Sequence, residues 1–133
     1  LQDNECLLEA WIDFGLAAQR GDADWRQRTL ERAEGELANE RLARAVVYAW
    51  GDRDRWKEAS ELFKADLILA PSRLQPLLRQ WLNGLEARRE LADQANHSEA
   101  ARRQATRERD ELAQKLDALT EIEQSINLRN QSP

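Results

Sequence analysis

Between Cys6 and Ala18 the apolar residues Cys6, Leu7, Ala10, Trp11, Phe14, Ala17 and Ala18 recur at steps of three and four. That spacing lines one face of an α-helix. Gly21 ends the helix, and Asp22 or Asp24 offers a carboxylate to the free amides of a second one, which begins near Trp25 and carries Leu30, Ala33 and Leu37 on one face. A break is expected near Gly35, because an interior glycine costs a helix about 1 kcal/mol relative to alanine. A third helix is predicted from about Ala38 to Trp50, with Leu42, Ala45, Val46, Ala49 and Trp50 on its apolar side, and it stops at Gly51. Asp52 and Asp54 stand ready to cap a fourth, in which Trp56, Ala59, Leu62, Phe63, Leu67 and Ile68 precede the breaker Pro71.

Beyond Pro71 the pattern changes. A heptad register with d at Leu77, Gly84, Leu91, Ser98, Ala105, Leu112, Leu119 and Ile126 puts Leu74, Trp81, Arg88, Ala95, Arg102, Arg109, Leu116 and Glu123 at a. The seam is apolar at both ends and poor in the middle, the polar stretch covering residues 96–109. Two structures fit. One is a continuous helix whose base joins the hairpins and whose far end presents a second apolar stripe, about 80 Å away for some 55 residues at 1.5 Å each. The other is an antiparallel pair turning near Asn96, with Asn96 and Glu99 at the spacing of a capping box. The continuous helix is preferred, because neither Gly nor Pro marks a turn there.

The expected organisation is thus all-α: a head of two short helical hairpins over residues 1–71, similar to tetratricopeptide units without their full signature, followed by a long helix or coiled coil over 72–133. Composition agrees, since Ala, Leu, Glu, Arg, Lys and Gln supply 85 of 133 residues while Val, Ile and Thr supply nine. A β fold is excluded. A single Cys leaves no internal disulfide, and no apolar run approaches the roughly 20 residues of a membrane-crossing helix. The charge of −5 belongs to the head, with 15 acidic and 10 basic residues in 1–71 against ten of each in 72–133. With no Met at its start, the chain reads as a processed or excised piece, so any signal peptide or lipid anchor would lie outside it.

Candidate chemistry is sparse. The lone His97 sits in the most polar part of the helix and reads as solvated. Cys6, on the apolar stripe of the first helix, reads as a small buried hydrophobe, and the pair cannot furnish a zinc site. No catalytic residue, cofactor or metal is therefore expected, and the reading is non-enzymatic. Arg102, Arg103, Arg107 and Arg109 form the one basic patch, but they wrap around more than one face and Glu108, Asp110 and Glu111 interrupt them. Nucleic-acid binding is not expected. Among the five Trp, Trp11, Trp50 and Trp56 read as core, whereas Trp25 and Trp81 are candidates for a partner surface. The best candidate functional surface is the stripe Leu112, Leu116, Leu119, Ile122 and Ile126, which an unbroken helix leaves without an internal partner.

The run Pro76-Leu77-Leu78-Arg79-Gln80-Trp81-Leu82-Asn83-Gly84, followed by a Gln/Glu/Arg-rich coil and then Leu116-Asp117-Ala118-Leu119-Thr120-Glu121-Ile122-Glu123-Gln124, resembles the QseG family. These are small outer-membrane lipoproteins that serve as accessory partners of a sensor histidine kinase of the QseE type. The resemblance covers the last 60 or so residues. It implies a periplasmic protein, anchored to the outer membrane in its full-length form, that binds and modulates the sensor region of a two-component histidine kinase. Partner contacts would fall on Leu112, Leu116, Leu119, Glu121, Ile122, Glu123 and Ile126. Asp3-Asn4-Glu5-Cys6 is not a lipobox, so Cys6 is not taken for the anchor, and membrane attachment would come only through residues outside the chain. The alternative is a structural scaffold that forms a homodimer through its coil and organises an envelope assembly.

Overall fold

A computed structural model describes residues 5–131, and the described residues form helices joined by short turns, without strands. Five α-helices follow in order: α1 (Glu5–Arg20), α2 (Ala23–Arg32), α3 (Ala38–Ala49), α4 (Trp56–Asp66) and α5 (Gln75–Gln131). Short 3-10 turns at Arg53–Arg55 and Leu67–Leu69 lead into and out of α4. The chain divides into two compact units, Leu1–Glu90 and Leu91–Pro133.

Local chemistry accounts for most of the helix ends. Asp22 caps α2, its carboxylate accepting from the Trp25 amide at 2.8 Å. The break around Gly35 is stapled from α3: Glu40 accepts from the Gly35 amide at 2.8 Å, and Arg44 donates to the Ala33 and Gly35 carbonyls that end α2. A Cβ at Gly35 would press on the Glu40 carboxylate, so a larger residue there would push Glu40 aside and break this staple. Asp52 and Asp54 do not cap α4. The chain enters that helix through a 3-10 turn in which the Arg55 amide bonds the Asp52 carbonyl at 3.1 Å, so the backbone satisfies itself and no side chain caps it.

In the first unit α3 and α4 pack most extensively on one another, while α1 and α2 each lean on α3 more than on each other. The α3–α4 hairpin is close and the α1–α2 pair is loose, joined through Phe14 and Trp25, whose rings are 6.0 Å apart. Leu42, Ala45 and Val46 of α3, Ala59 and Phe63 of α4, and Leu78 and Leu85 of α5, with Leu74 just before it, are buried essentially completely. Burial of a large aliphatic or aromatic side chain contributes about 1.5–3 kcal/mol, so these residues dominate the stability of the unit.

The head extends past the boundary at residue 71, since Leu74, Leu78 and Leu85 belong to its core. The heptad register also shifts at this end. The buried residues are Leu74, Leu78 and Leu85, and Gly84, placed at d, is exposed with nothing within 4 Å of where a Cβ would stand. Helix α5 here meets a broad globular face, which is served by the natural 3.6-residue period rather than the 3.5 of a coiled coil.

Three polar contacts tie the elements of this unit. Asp66, 1% exposed, accepts a forked pair of bonds from Arg41 at 2.7 Å each, and this carboxylate raises the guanidinium pKa above its ordinary value. Ser60, also buried, donates to Glu86 of α5. Arg88 lies 4.2 Å from the Trp50 ring centroid and 5.2 Å from that of Trp56, and donates to the Ala49 carbonyl at 2.7 Å. Its burial lowers its pKa from the ordinary arginine value. Arg88 is therefore a staple between α5 and the end of α3 rather than a weak point in a coil seam.

Cys6 is exposed, which corrects its assignment to the core. At 100° per residue it stands about 140° around α1 from Trp11, away from the face formed by buried Trp11, Gly15 and Ala18. Trp11 is buried, and Trp50 and Trp56 are half-buried against the core. Trp25 and Trp81 are half-buried as well; the Trp81 ring is seated against Gly15, and Trp25 against Gly21.

Candidate functional site

Helix α5 shows no turn at Asn96, so the antiparallel alternative is not adopted. In the second unit Leu112, Leu116, Leu119, Ile122 and Ile126 are 51–64% exposed. Measured around the helix from Leu112, these five side chains fall within a sector of about 120°, a width suited to receiving one further helix. Glu123 falls inside that sector, between Leu116 and Leu119. Glu121 stands about 180° from Leu112, on the opposite side, although it is part of the same sequence element. The structure thus groups Glu123 with the five apolar residues and separates Glu121 from them.

Polar chemistry along this unit is simple. Arg102 and Arg103 both pair with Glu99, the latter at 3.2 Å, and Gln104 donates to Glu108 at 3.2 Å. The Thr120 hydroxyl donates to the Leu116 carbonyl at 2.9 Å, which removes it from the surface chemistry of the stripe. Among the described residues Arg107, Arg109, Asp110, Glu111, Lys115, Asp117, Glu121 and Glu123 make no ion pair. Two of the four arginines of the basic patch are therefore engaged within their own helix, and two are not.

Elsewhere the described residues contain no group of three His, Cys, Asp or Glu arranged to hold a metal, and His97 is exposed. No helix among them is long and apolar enough to cross a membrane. The first unit has two further apolar surface features, and in the second of them Leu37 and Ile68, expected on the apolar faces of the second and fourth helices, lie beyond the ends of α2 and α4 and face solvent. Ile12 and Leu16 of α1 line a shallow groove with Leu77 and Trp81 of α5, and Leu37, Ile68 and Leu69 are 66–76% exposed. The groove was legible in part: Ile12 and Leu16 are four residues apart, the signature of a second stripe on α1, which the stronger Trp11 face masked. No family model, curated protein or solved structure matches the chain.

Proposed function

We propose that the chain is a non-enzymatic helical binding protein in which the first unit is a folded platform and the second presents the 112–126 stripe to a helix of another protein. The observation that carries this reading is the exposure of five large aliphatic residues on one side of a single helix. Apolar faces of that kind are expensive to leave in water and mark surfaces that associate. Following the resemblance to the QseG family, the partner is the periplasmic region of a sensor histidine kinase, and the protein acts in the cell envelope, held at the outer membrane by an anchor outside these residues. It alters signalling as a population shift: binding changes kinase output only to the extent that the stripe prefers one conformation of the sensor over the other.

The test is a titration of the full chain against the purified periplasmic region of a sensor histidine kinase from the same organism. Wild-type protein should bind, and the double substitution Leu119→Asp with Ile122→Asp should abolish a complex of roughly micromolar affinity, because two desolvated carboxylates cost several kcal/mol. Trp fluorescence melting of the first unit should not change. Absence of wild-type binding, or undiminished binding by the double variant, overturns the reading.

A further inference from the structure

The second unit carries three charges at a positions of its seam, Arg102, Arg109 and Glu123, and they determine what kind of helix the stripe accepts. Building on the reading of the stripe as a helix-pairing face, we propose that one occupant of that face is a second copy of this chain, paired antiparallel about a two-fold centred near residue 114.

A parallel pair would set Arg102 on Arg102, Arg109 on Arg109 and Glu123 on Glu123, three like-charge layers. In the antiparallel pair a faces d, and the layers follow from the register. Leu112 meets Leu116 of the second copy, twice, at the centre. Leu119 lies over the stem of Arg109 of the second copy, and Ile126 over the stem of Arg102. Glu123 falls opposite the small Ala105, between Arg102 and Arg109 of the facing helix, so every charged a residue acquires neighbours of opposite sign.

Counting only the side of the helix that carries the stripe, residues 102–109 present Arg102, Arg109 and Glu108, net +1, and the segment opposite them in this register, 119–126, presents Glu123, net −1. Arg109 and Glu123 make no ion pair among the described residues, so their charges are available across the seam. The second copy covers the same stripe as a kinase helix would, so the two occupants compete.

Sedimentation of the full chain tests the proposal on three proteins: wild type, Glu123→Arg, and the triple variant Arg102→Glu, Arg109→Glu and Glu123→Arg. Antiparallel pairing predicts a wild-type dimer, dimerisation weakened by about a hundredfold in the single variant, and recovery in the triple variant, where every pair is reversed together. Arginine and glutamate are both strong helix formers, so helix content should not change. As a second measurement, spin labels at Gln124→Cys in a Cys6→Ser background should lie about 30 Å apart along the axis in the antiparallel pair and side by side in a parallel one.

A wild type that stays monomeric at roughly 100 μM, a Glu123→Arg protein that dimerises equally well, a triple variant that does not recover, or closely spaced labels each overturns the pairing. The kinase titration reports separately. A monomer that binds the kinase region removes only this inference, and a dimer that ignores it removes only the kinase reading.

Discussion

Two glycines inside helices of the first unit should respond to alanine with opposite signs. Gly15 in α1 and Gly84 in α5 each pay the helix penalty of glycine, so replacement by Ala has an intrinsic gain of about 1 kcal/mol at either site. At Gly84 nothing lies within 4 Å of the new Cβ, and the gain should appear almost in full. At Gly15 the Cβ would stand 2.3 Å from Trp81 Cζ2 and 2.7 Å from Cη2. Carbon atoms rest about 3.5–4 Å apart, so the indole must withdraw by more than about 1 Å from a face it fills. Overpacking of this kind costs about 1–3 kcal/mol, which cancels the helix gain and leaves a net loss near 1 kcal/mol. Melting followed by Trp fluorescence reports on this unit, because all five Trp lie within residues 1–90. Gly84→Ala should raise Tm and Gly15→Ala lower it, each by about 4–8 °C. In a Trp81→Ala background the obstacle is gone, and Gly15→Ala should become stabilising. A Gly15→Ala protein that melts higher than wild type would refute the packing argument.

A chain ending at residue 90 should unfold cooperatively, whereas one ending at 71 should not. The shorter chain loses Leu74, Leu78 and Leu85, all at 0% exposure and together worth roughly 5–9 kcal/mol, comparable to the whole stability of a small domain. The Ser60 hydroxyl, with help from Arg89, holds the Glu86 pKa below its ordinary value. That contribution is present above the unfolded pKa of about 4.3 and is lost as pH falls through the folded pKa, so Ser60→Ala should flatten the loss of stability in acid, as urea titrations at two pH values would show. Equal acid sensitivity in both proteins would exclude the role given to Ser60. Cys6 should react with a thiol reagent nearly as fast in the folded protein as in denaturant; strong protection would contradict its exposure.

The punctuation of the helices was legible because its chemistry is local. Gly21, Gly35, Gly51 and Pro71 each fall just beyond a helix end, and Asp22 caps the helix it precedes. What sequence periodicity could not supply was the exact buried sector. A run of apolar residues at steps of three and four can start on the flank of a face, as the first one does at exposed Cys6, some 140° around α1 from Trp11. Contacts between distant residues were equally silent. Arg41 and Asp66 are 25 positions apart, and nothing in their neighbourhoods announces a buried fork. Arg88 reads as an ordinary polar heptad residue until Trp50 and Trp56 are placed around it.

The distal stripe poses a different problem. Helical spacing states which residues share a side of α5, and it does so well for Leu112, Leu116, Leu119, Ile122 and Ile126. It also separates Glu121 from Glu123, two residues that adjacency in a motif had grouped. It is silent on what covers the stripe, because the same five residues would serve equally as the core of a folded-back hairpin or as an open surface. The unbroken course of α5 through Asn96 removes the hairpin, and the burden then passes to the charges. A purely apolar helix laid along this seam would strand Arg109 and Glu123, which have no ion partner among the described residues, against hydrocarbon, where an unpaired charge costs more than an added leucine contact returns. Any helix that pairs along the full seam, from a kinase or from a second copy, must therefore bring a carboxylate to Arg109 and a cation to Glu123. That requirement separates specific partners from any generic amphipathic helix.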